Sequence, residues 1–485
     1  MSTRIELAVA VLRAVAGRVD PTVPLPLSRL TATIGASLST TSRLCAELAE
    51  VGLIERAEAY GTFRVGARAI SLSGRAAAAL GPTVHYELHR LAQDTAETVV
   101  LAAPEDGGVR ITASVASGWT LHVPAAVGDR IDDPRRALVR ALSIDGADEA
   151  VVESETGRAV EIAVALTAPD GRRVGVLAVA LPVYRAARAR PRIRRLLADA
   201  RRAFERSLDR AHRPPTPEPE PRPSVPDRAI EAAVRVVETV ARAPGSASAV
   251  AAATGMRGDR TRRLVDALVR TGLLSRDAET DSLHVDPAIH AWHRAAFLPT
   301  LAQGGPGRTS ATAQRVGACV FVTTLVGMRS FTVVEHIEPL GEGLRMAPWL
   351  GRPHPLVGSD GGPTLAMDFD AAQLAELFPR RHGAAEYARF VRRVGRVRDE
   401  GTLTMRSVDE FGITSVSAPV RDAAGLVAAA ACIVGATEDV SARLPELREA
   451  ARELAAALSR DLGATYAASI PAADRMGSAP IPSVR

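Results

Sequence analysis

At 485 residues the chain is too long for one hydrophobic core, and a scale of roughly 150 residues per domain points to three or four domains. Its 47% hydrophobic and 24% charged content allows packed cores and argues against wholesale disorder, while a net charge of +5 and a pI near 9.6 suit an anionic partner. All 60 basic residues are arginine, so chemistry that needs a lysine, such as a P-loop or a pyridoxal Schiff base, is excluded.

From Ile5 to Gly17, Val9, Leu12, Val15 and Ala16 form one apolar stripe, which predicts an amphipathic helix. Glu6 and Arg13 interrupt this segment, so it is not the apolar region of a secretory signal. The longest apolar runs, such as Leu426 to Ala436, are shorter than the roughly 20 residues a membrane span needs, and no membrane partner is expected. A short helix from Leu27 to Ile34 comes next. Ser37 then suits the N-cap of a helix that reaches Val51 before Gly52 stops it. On that helix Thr41, Leu44, Leu48 and Val51 fall inward, leaving Ser39, Thr40, Ser42 and Arg43 on the outer face. Leu53 to Glu55 and Thr62 to Val65 complete a two-stranded wing, so residues 1–80 read as a winged helix-turn-helix.

The stretch from Gly35 to Arg56 has a counterpart about 220 residues later, from Gly255 to Arg276. Gly35 matches Gly255, Thr41 matches Thr261, Arg43 matches Arg263, Leu48 matches Leu268 and Gly52 matches Gly272, without a gap. Between the two copies, residues 81–212 read as an abbreviated α+β domain. It has a helix at Thr83 to Thr95 and strands at Thr98 to Ala103, Arg110 to Ala116, Leu121 to Val123, Val160 to Thr167 and Val174 to Pro182. A helix from Arg192 to Ala211 closes it, and alternating prolines make residues 213–226 a semi-rigid linker.

Residues 227–300 form the second winged helix. Its first helix carries Ile230, Val234, Val237 and Ala241 as the inward stripe, and its recognition helix carries Asp259, Arg260, Thr261, Arg262 and Arg263. A flexible break is expected at Gln303 to Arg308. A second α+β domain then spans 301–466, with strands near Cys319 to Leu325, Ser330 to Ile337, Gly343 to Ala347, Thr414 to Val420 and Val427 to Val434. A disordered tail is expected over 467–485. The fold class is therefore α+β, with two winged helices alternating with two mixed domains.

This order of parts resembles the IclR-type bacterial transcription regulators. The match rests on Gly35, Ser39, Thr40, Arg43 and Leu44, on GLIER, and on the wing ending at Phe63 to Gly66. It rests further on Glu400-Gly401, Asp409-Glu410, Ala418-Pro419-Val420, Asp422 and Gly435. The resemblance implies a winged helix followed by a GAF-like effector domain, and the internal repeat makes this chain a tandem duplication of that unit, which departs from the family's plan. Double-stranded DNA and a small-molecule effector are the implied partners, with an intramolecular pseudo-dimer or a homo-oligomer as the assembly. Candidate DNA contacts are Ser39, Thr40, Ser42, Arg43, Arg260, Thr261, Arg262 and Arg263. The resemblance places the effector near Met405, Ser415, Cys432 and Val434, with Met346 and Trp349 as walls, and these residue types favour an apolar or aromatic effector over a small anion.

No cofactor, metal or catalytic residue is expected. His85 and His89 stand four apart, yet HYELH lacks the glutamate that follows the first histidine of a zinc protease motif. They read as packing or surface histidines, as do His290 and His293. Gly358-Ser359-Asp360-Gly361 is not a nucleophile elbow and reads as a loop. Cys45, Cys319 and Cys432 are odd in number and far apart, which fits a reducing cytoplasm. The alternative from another class is a sensor or protein-interaction module whose winged helices no longer bind DNA.

Overall fold

The computed structural model describes residues 2–17, 23–143, 151–211, 226, 228–277, 279–340, 345–378, 382–408 and 411–464. The expected linker, Pro226 aside, the expected tail and the Asp409-Glu410 pair lie outside the described residues.

The first unit comprises α1 (Ser2–Ala16), β1 (Leu25–Pro26), α2 (Leu27–Ile34), α3 (Leu38–Glu50), β2 (Ile54–Arg56) and β3 (Thr62–Val65). Gly35 ends α2 in the left-handed region (φ 63°), where a glycine carries no Cβ penalty. The Ser37 side chain then accepts the Thr40 amide and opens α3. The wing is a three-stranded sheet in the order β1-β3-β2.

Helices α4 (Ala67–Ala77) and α5 (Gly81–Thr95) lead to β4 (Thr98–Glu105), β5 (Gly108–Val115), β6 (Arg130–Ile131), α6 (Ala137–Ser143), β7 (Val152–Thr156), β8 (Ala159–Thr167), β9 (Arg173–Pro182) and α7 (Val183–Ala211). The antiparallel sheet runs β6-β5-β4-β9-β8-β7. One face packs on α5 and α7 through Leu88, Leu91, Ile193, Leu197 and Phe204, and the other is covered by Leu138 and Ala141 of α6. No strand forms at Leu121 to Val123: Leu121 is 64% exposed, so nothing holds an alternating face there, and the Thr98 hydroxyl takes the Val123 carbonyl. Pro191 lies inside α7 instead of preceding it, because buried Ala186 and Ile193 anchor the helix on both sides of the proline.

The second half repeats the plan with α8 (Ala229–Arg242), α9 (Ala247–Thr254), α10 (Gly258–Arg270), β10 (Leu274–Arg276), β11 (Leu283–Val285) and α11 (Ala291–Val316). Then follow β12 (Cys319–Val326), β13 (Arg329–His336), β14 (Pro353–Pro355), α12 (Gly362–Leu365), α13 (Ala371–Leu377), α14 (Ala384–Glu400), β15 (Leu403–Arg406), β16 (Ile413–Arg421), β17 (Val427–Ala436), α15 (Thr437–Ala442) and α16 (Leu444–Asp461). The sheet order, β14-β13-β12-β17-β16-β15, matches that of the first sheet. α11 and α16 cover one face, and α12 to α14 lie against the other.

Two expectations fail here. Gln303 to Arg308 is not a break but the middle of α11, although Pro299 and Pro306 lie inside that helix. A Cβ on Gly305 would stand 2.8 Å from the Val334 side chain, so the glycine lets the helix lie flush on the sheet, and packing overrides propensity. Of the strand expected at 343–347, residues 343–344 lie outside the described residues; beyond them Arg345 forms an isolated bridge to Pro339, 346–347 form no strand, and Pro353–Pro355 supplies the edge strand.

The two winged helices share one apolar core. Ile5, Leu12, Leu48 and Leu72 belong to the same cluster as Ile230, Val237, Leu268 and Trp292. Around it, Arg68 bonds Glu231 (2.9 Å) and Glu238 (2.8 Å), Arg270 bonds Glu6 (3.1 Å), and Arg13 donates to the Gly272 carbonyl (2.5 Å). Among the described residues no helix is long and apolar enough to cross a membrane.

Candidate functional site

Two surfaces bring the predicted residues together. On α3 the inward positions Thr41, Leu44 and Leu48 are buried, with Cys45 beside them, and Ser39, Thr40, Ser42 and Arg43 are exposed. A helix N-terminus lined by hydroxyls and one guanidinium offers hydrogen bonds to phosphates and base edges. On α10, Arg262 and Arg263 are exposed and Arg260 is half-buried. Thr261 does not belong to that face. It is fully buried, like its counterpart Thr41, and its hydroxyl donates to the Arg257 carbonyl (3.2 Å). Asp259 sits 3.0 Å from the Arg263 guanidinium and offsets part of its charge. The Arg257 side chain precedes α10 without capping it, so the two recognition helices start differently.

The second surface is a cavity of about 140 Å³ on the α12 side of the second sheet. Met346, Trp349, Cys432 and Val434 line it. Met405 and Ser415 do not. Both are buried beside it, and the Ser415 hydroxyl turns away to its neighbour's carbonyl on Met405 (3.3 Å). Burial holds the Cys432 thiol far above its ordinary pKa, so it stays protonated and acts as a soft wall.

Sequence reasoning missed the polar part of this cavity. Thr323, Ser330, Thr332, Arg352, His354 and the Gly358 to Gly361 loop all contribute to its lining. Ser330 donates to Ser359 (2.6 Å), which ties the loop to β13, and the Thr323 hydroxyl is buried in the same wall beside the Cys432 thiol. A Cβ on Gly361 would meet Thr323 Oγ1 at 2.6 Å and Cys432 Sγ at 3.1 Å, so only glycine lets the loop close on the sheet. The run of small residues at 358–361 was the available signal, but the sheet it approaches is far away in sequence.

Residues 5–58 match the IclR helix-turn-helix domain, and residues 308–460 match the family described as bacterial transcriptional regulator IclR C-terminal. The two matches support an IclR-type regulator. IclR-type regulators are non-enzymatic DNA-binding proteins. The IclR C-terminal match begins inside α11 and ends within α16, enclosing the cavity. Among solved structures, Pseudomonas aeruginosa HmgR is 22% identical over 49% of this chain and 98% of its own, with a TM-score of 0.37. An IclR homolog complexed with 4-hydroxybenzoate, from Microbacterium hydrocarbonoxydans, is 20% identical over 48% and 99%, with a TM-score of 0.30. The Agobacterium tumefaciens repressor BlcR is 19% identical over 49% and 98%, with a TM-score of 0.33. No curated protein matches the chain.

His85, His89 and His293 are packed. His85 stacks on Phe369 (4.6 Å between ring centroids), His89 meets the same ring edge-on, and His293 lies against Ser73. Among the described residues no group of three metal-ligating side chains gathers.

Proposed function

We propose that the chain is a cytoplasmic DNA-binding regulator built as a tandem duplication, with its two winged helices paired in cis and its operator binding set by a small effector in the C-terminal, GAF-like cavity. The observation that carries this reading is the common apolar core of the winged helices, which holds two outward recognition faces on one body. Ser39, Thr40, Ser42 and Arg43 read or position bases in this scheme, and Arg260, Arg262 and Arg263 hold phosphates. The effector class favoured is a small aromatic molecule bearing a polar group: Phe321, Met346 and Trp349 supply apolar walls, while Thr323, Arg352 and His354 offer donors.

A salt-titrated gel shift on genomic fragments tests the reading, joined to analytical ultracentrifugation. Specific binding by a single chain with a steep salt slope is expected. No binding at low salt leaves the sensor reading, and binding only by a multimer of chains overturns pairing in cis.

A further inference from the structure

A second cavity, about 330 Å³ and more than twice the volume of the first, lies at a junction that belongs to neither predicted site. Its walls come from α4, α5, β4, the β8–β9 hairpin and the end of α7 on one side. On the other side they come from α8, the β10–β11 wing and the start of α11. The first mixed unit and the second winged helix therefore enclose it together. Its volume falls within the range of small-molecule sites.

The chemistry of the walls is one-sided. Leu80, Val84, Leu101, Phe204 and Leu208 give it an apolar interior. Arg75, Arg172, Arg210, Arg242 and Arg294 also line it, and no carboxylate does among the described residues. Asp170 offsets Arg172 at 2.5 Å. Arg294 has no such partner. Its Nη1 donates to the carbonyls of Thr112 (3.1 Å) and His290 (3.4 Å), and its Nε and Nη2 make no hydrogen bond among the described residues. Burial lowers its pKa, and the charge of Asp422 attracts it without a hydrogen bond. Arg294 is half-buried with part of its fork open to the cavity, and a planar two-oxygen anion matches that fork.

We propose that this junction binds a small amphipathic carboxylate, its apolar body among the leucines and its acid on Arg294, and that occupancy fixes the second winged helix against the first mixed unit. An anion with a short aliphatic chain satisfies both halves of the wall, whereas a neutral hydrocarbon leaves the open part of the Arg294 fork unmatched and a bare phosphate leaves the apolar surface wet.

Octanoate, titrated calorimetrically into the full chain, is the probe. Arg294→Gln removes the charge, and Val174→Trp fills the cavity from a half-buried hairpin position while keeping that charge. Trp349→Ala opens the C-terminal cavity instead. Wild type and Trp349→Ala should bind equally, and both junction variants should bind at least tenfold more weakly with unchanged circular dichroism. Octanoate should also slow hydrogen exchange at 283–290 in wild type. The proposal is overturned by absence of binding at millimolar octanoate, by wild-type affinity in the junction variants, or by loss of binding in Trp349→Ala. Should Arg294→Gln fail to fold, Val174→Trp alone decides.

Discussion

A Cβ placed on Gly74 would stand 2.2 Å from the carbonyl carbon of Ala423, so α4 of the first half rests directly on the backbone of the turn that joins β16 and β17. Replacing a helical glycine by alanine ordinarily stabilises by about 1 kcal/mol. Here the sign reverses, because the obstructing atoms are backbone and cannot rotate aside. Gly74→Ala should destabilise the chain by about 1–3 kcal/mol, read as an earlier first transition in urea. An unchanged or later transition would show that the two halves do not dock through this contact.

Arg68 gathers two carboxylates of α8, and all three groups are about three-quarters buried. Arg68→Met leaves Glu231 and Glu238 facing each other without a cation. A loss of about 1–2 kcal/mol is expected after allowance for solvent screening, and it should shrink in high salt. Restoring stability with Glu231→Gln and Glu238→Gln in the Arg68→Met background would confirm that repulsion caused the loss.

The two recognition helices should respond differently to arginine removal. Arg262 is exposed on α10 and makes no ion pair among the described residues, so Arg262→Ala should lower the salt slope of DNA binding by about 1 on every sequence alike. Arg43→Ala should instead cost about 1–3 kcal/mol on the preferred site and less elsewhere. Equal loss of discrimination from both variants would end the division of labour.

Gly361→Val should close the C-terminal cavity, since even the first added carbon meets Thr323 and Cys432. The DNA complex should then ignore whichever small molecule releases the wild type. A variant that still responds in a gel shift would place the effector elsewhere.

Acid should weaken the fold. Burial lowers His85 to about 4 and His89 and His290 to about 3, so these rings are neutral when folded, while in the unfolded chain they titrate near 6.5. Below about pH 6.5 the unfolded chain takes up protons first, and stability falls until the folded values are reached. Asp286 and Asp422 act in the opposite sense: burial raises both to about 6, so between about pH 6 and 4 the folded chain protonates first and gains stability. The histidines outnumber them, and His293 shifts the same way as the other rings. The urea midpoint should therefore drop between pH 7 and pH 5, and drop less in His85→Gln/His89→Gln. A midpoint that rises on acidification would contradict the balance.

Much of the fold could be read because local and tertiary demands agreed. The stripe on α1, the Ser37 cap and the glycines at 35 and 255 each point to the observed element. Where they conflicted, distant contacts decided. Gly304-Gly305-Pro306-Gly307 reads as a break to any local rule, yet Val334 needs a residue without a side chain there, and the helix continues. Thr261 reads as one more hydroxyl on a binding face until the helix phase, shared with Thr41, turns it inward. The cavity was half legible: its apolar wall followed from the strands, whereas Arg352, His354 and the 358–361 loop arrive from segments whose position no local pattern encodes.

In the proposed scheme, the shared core of the winged helices joins two readers that are not copies of each other, Ser-Thr-Thr-Ser-Arg on one side and Asp-Arg-Thr-Arg-Arg on the other. Two identical chains meet DNA through a twofold axis, and their half-sites mirror one another. A single chain carrying unlike readers has no such axis. Its preferred sequence need not be palindromic, and its orientation along the DNA can be fixed.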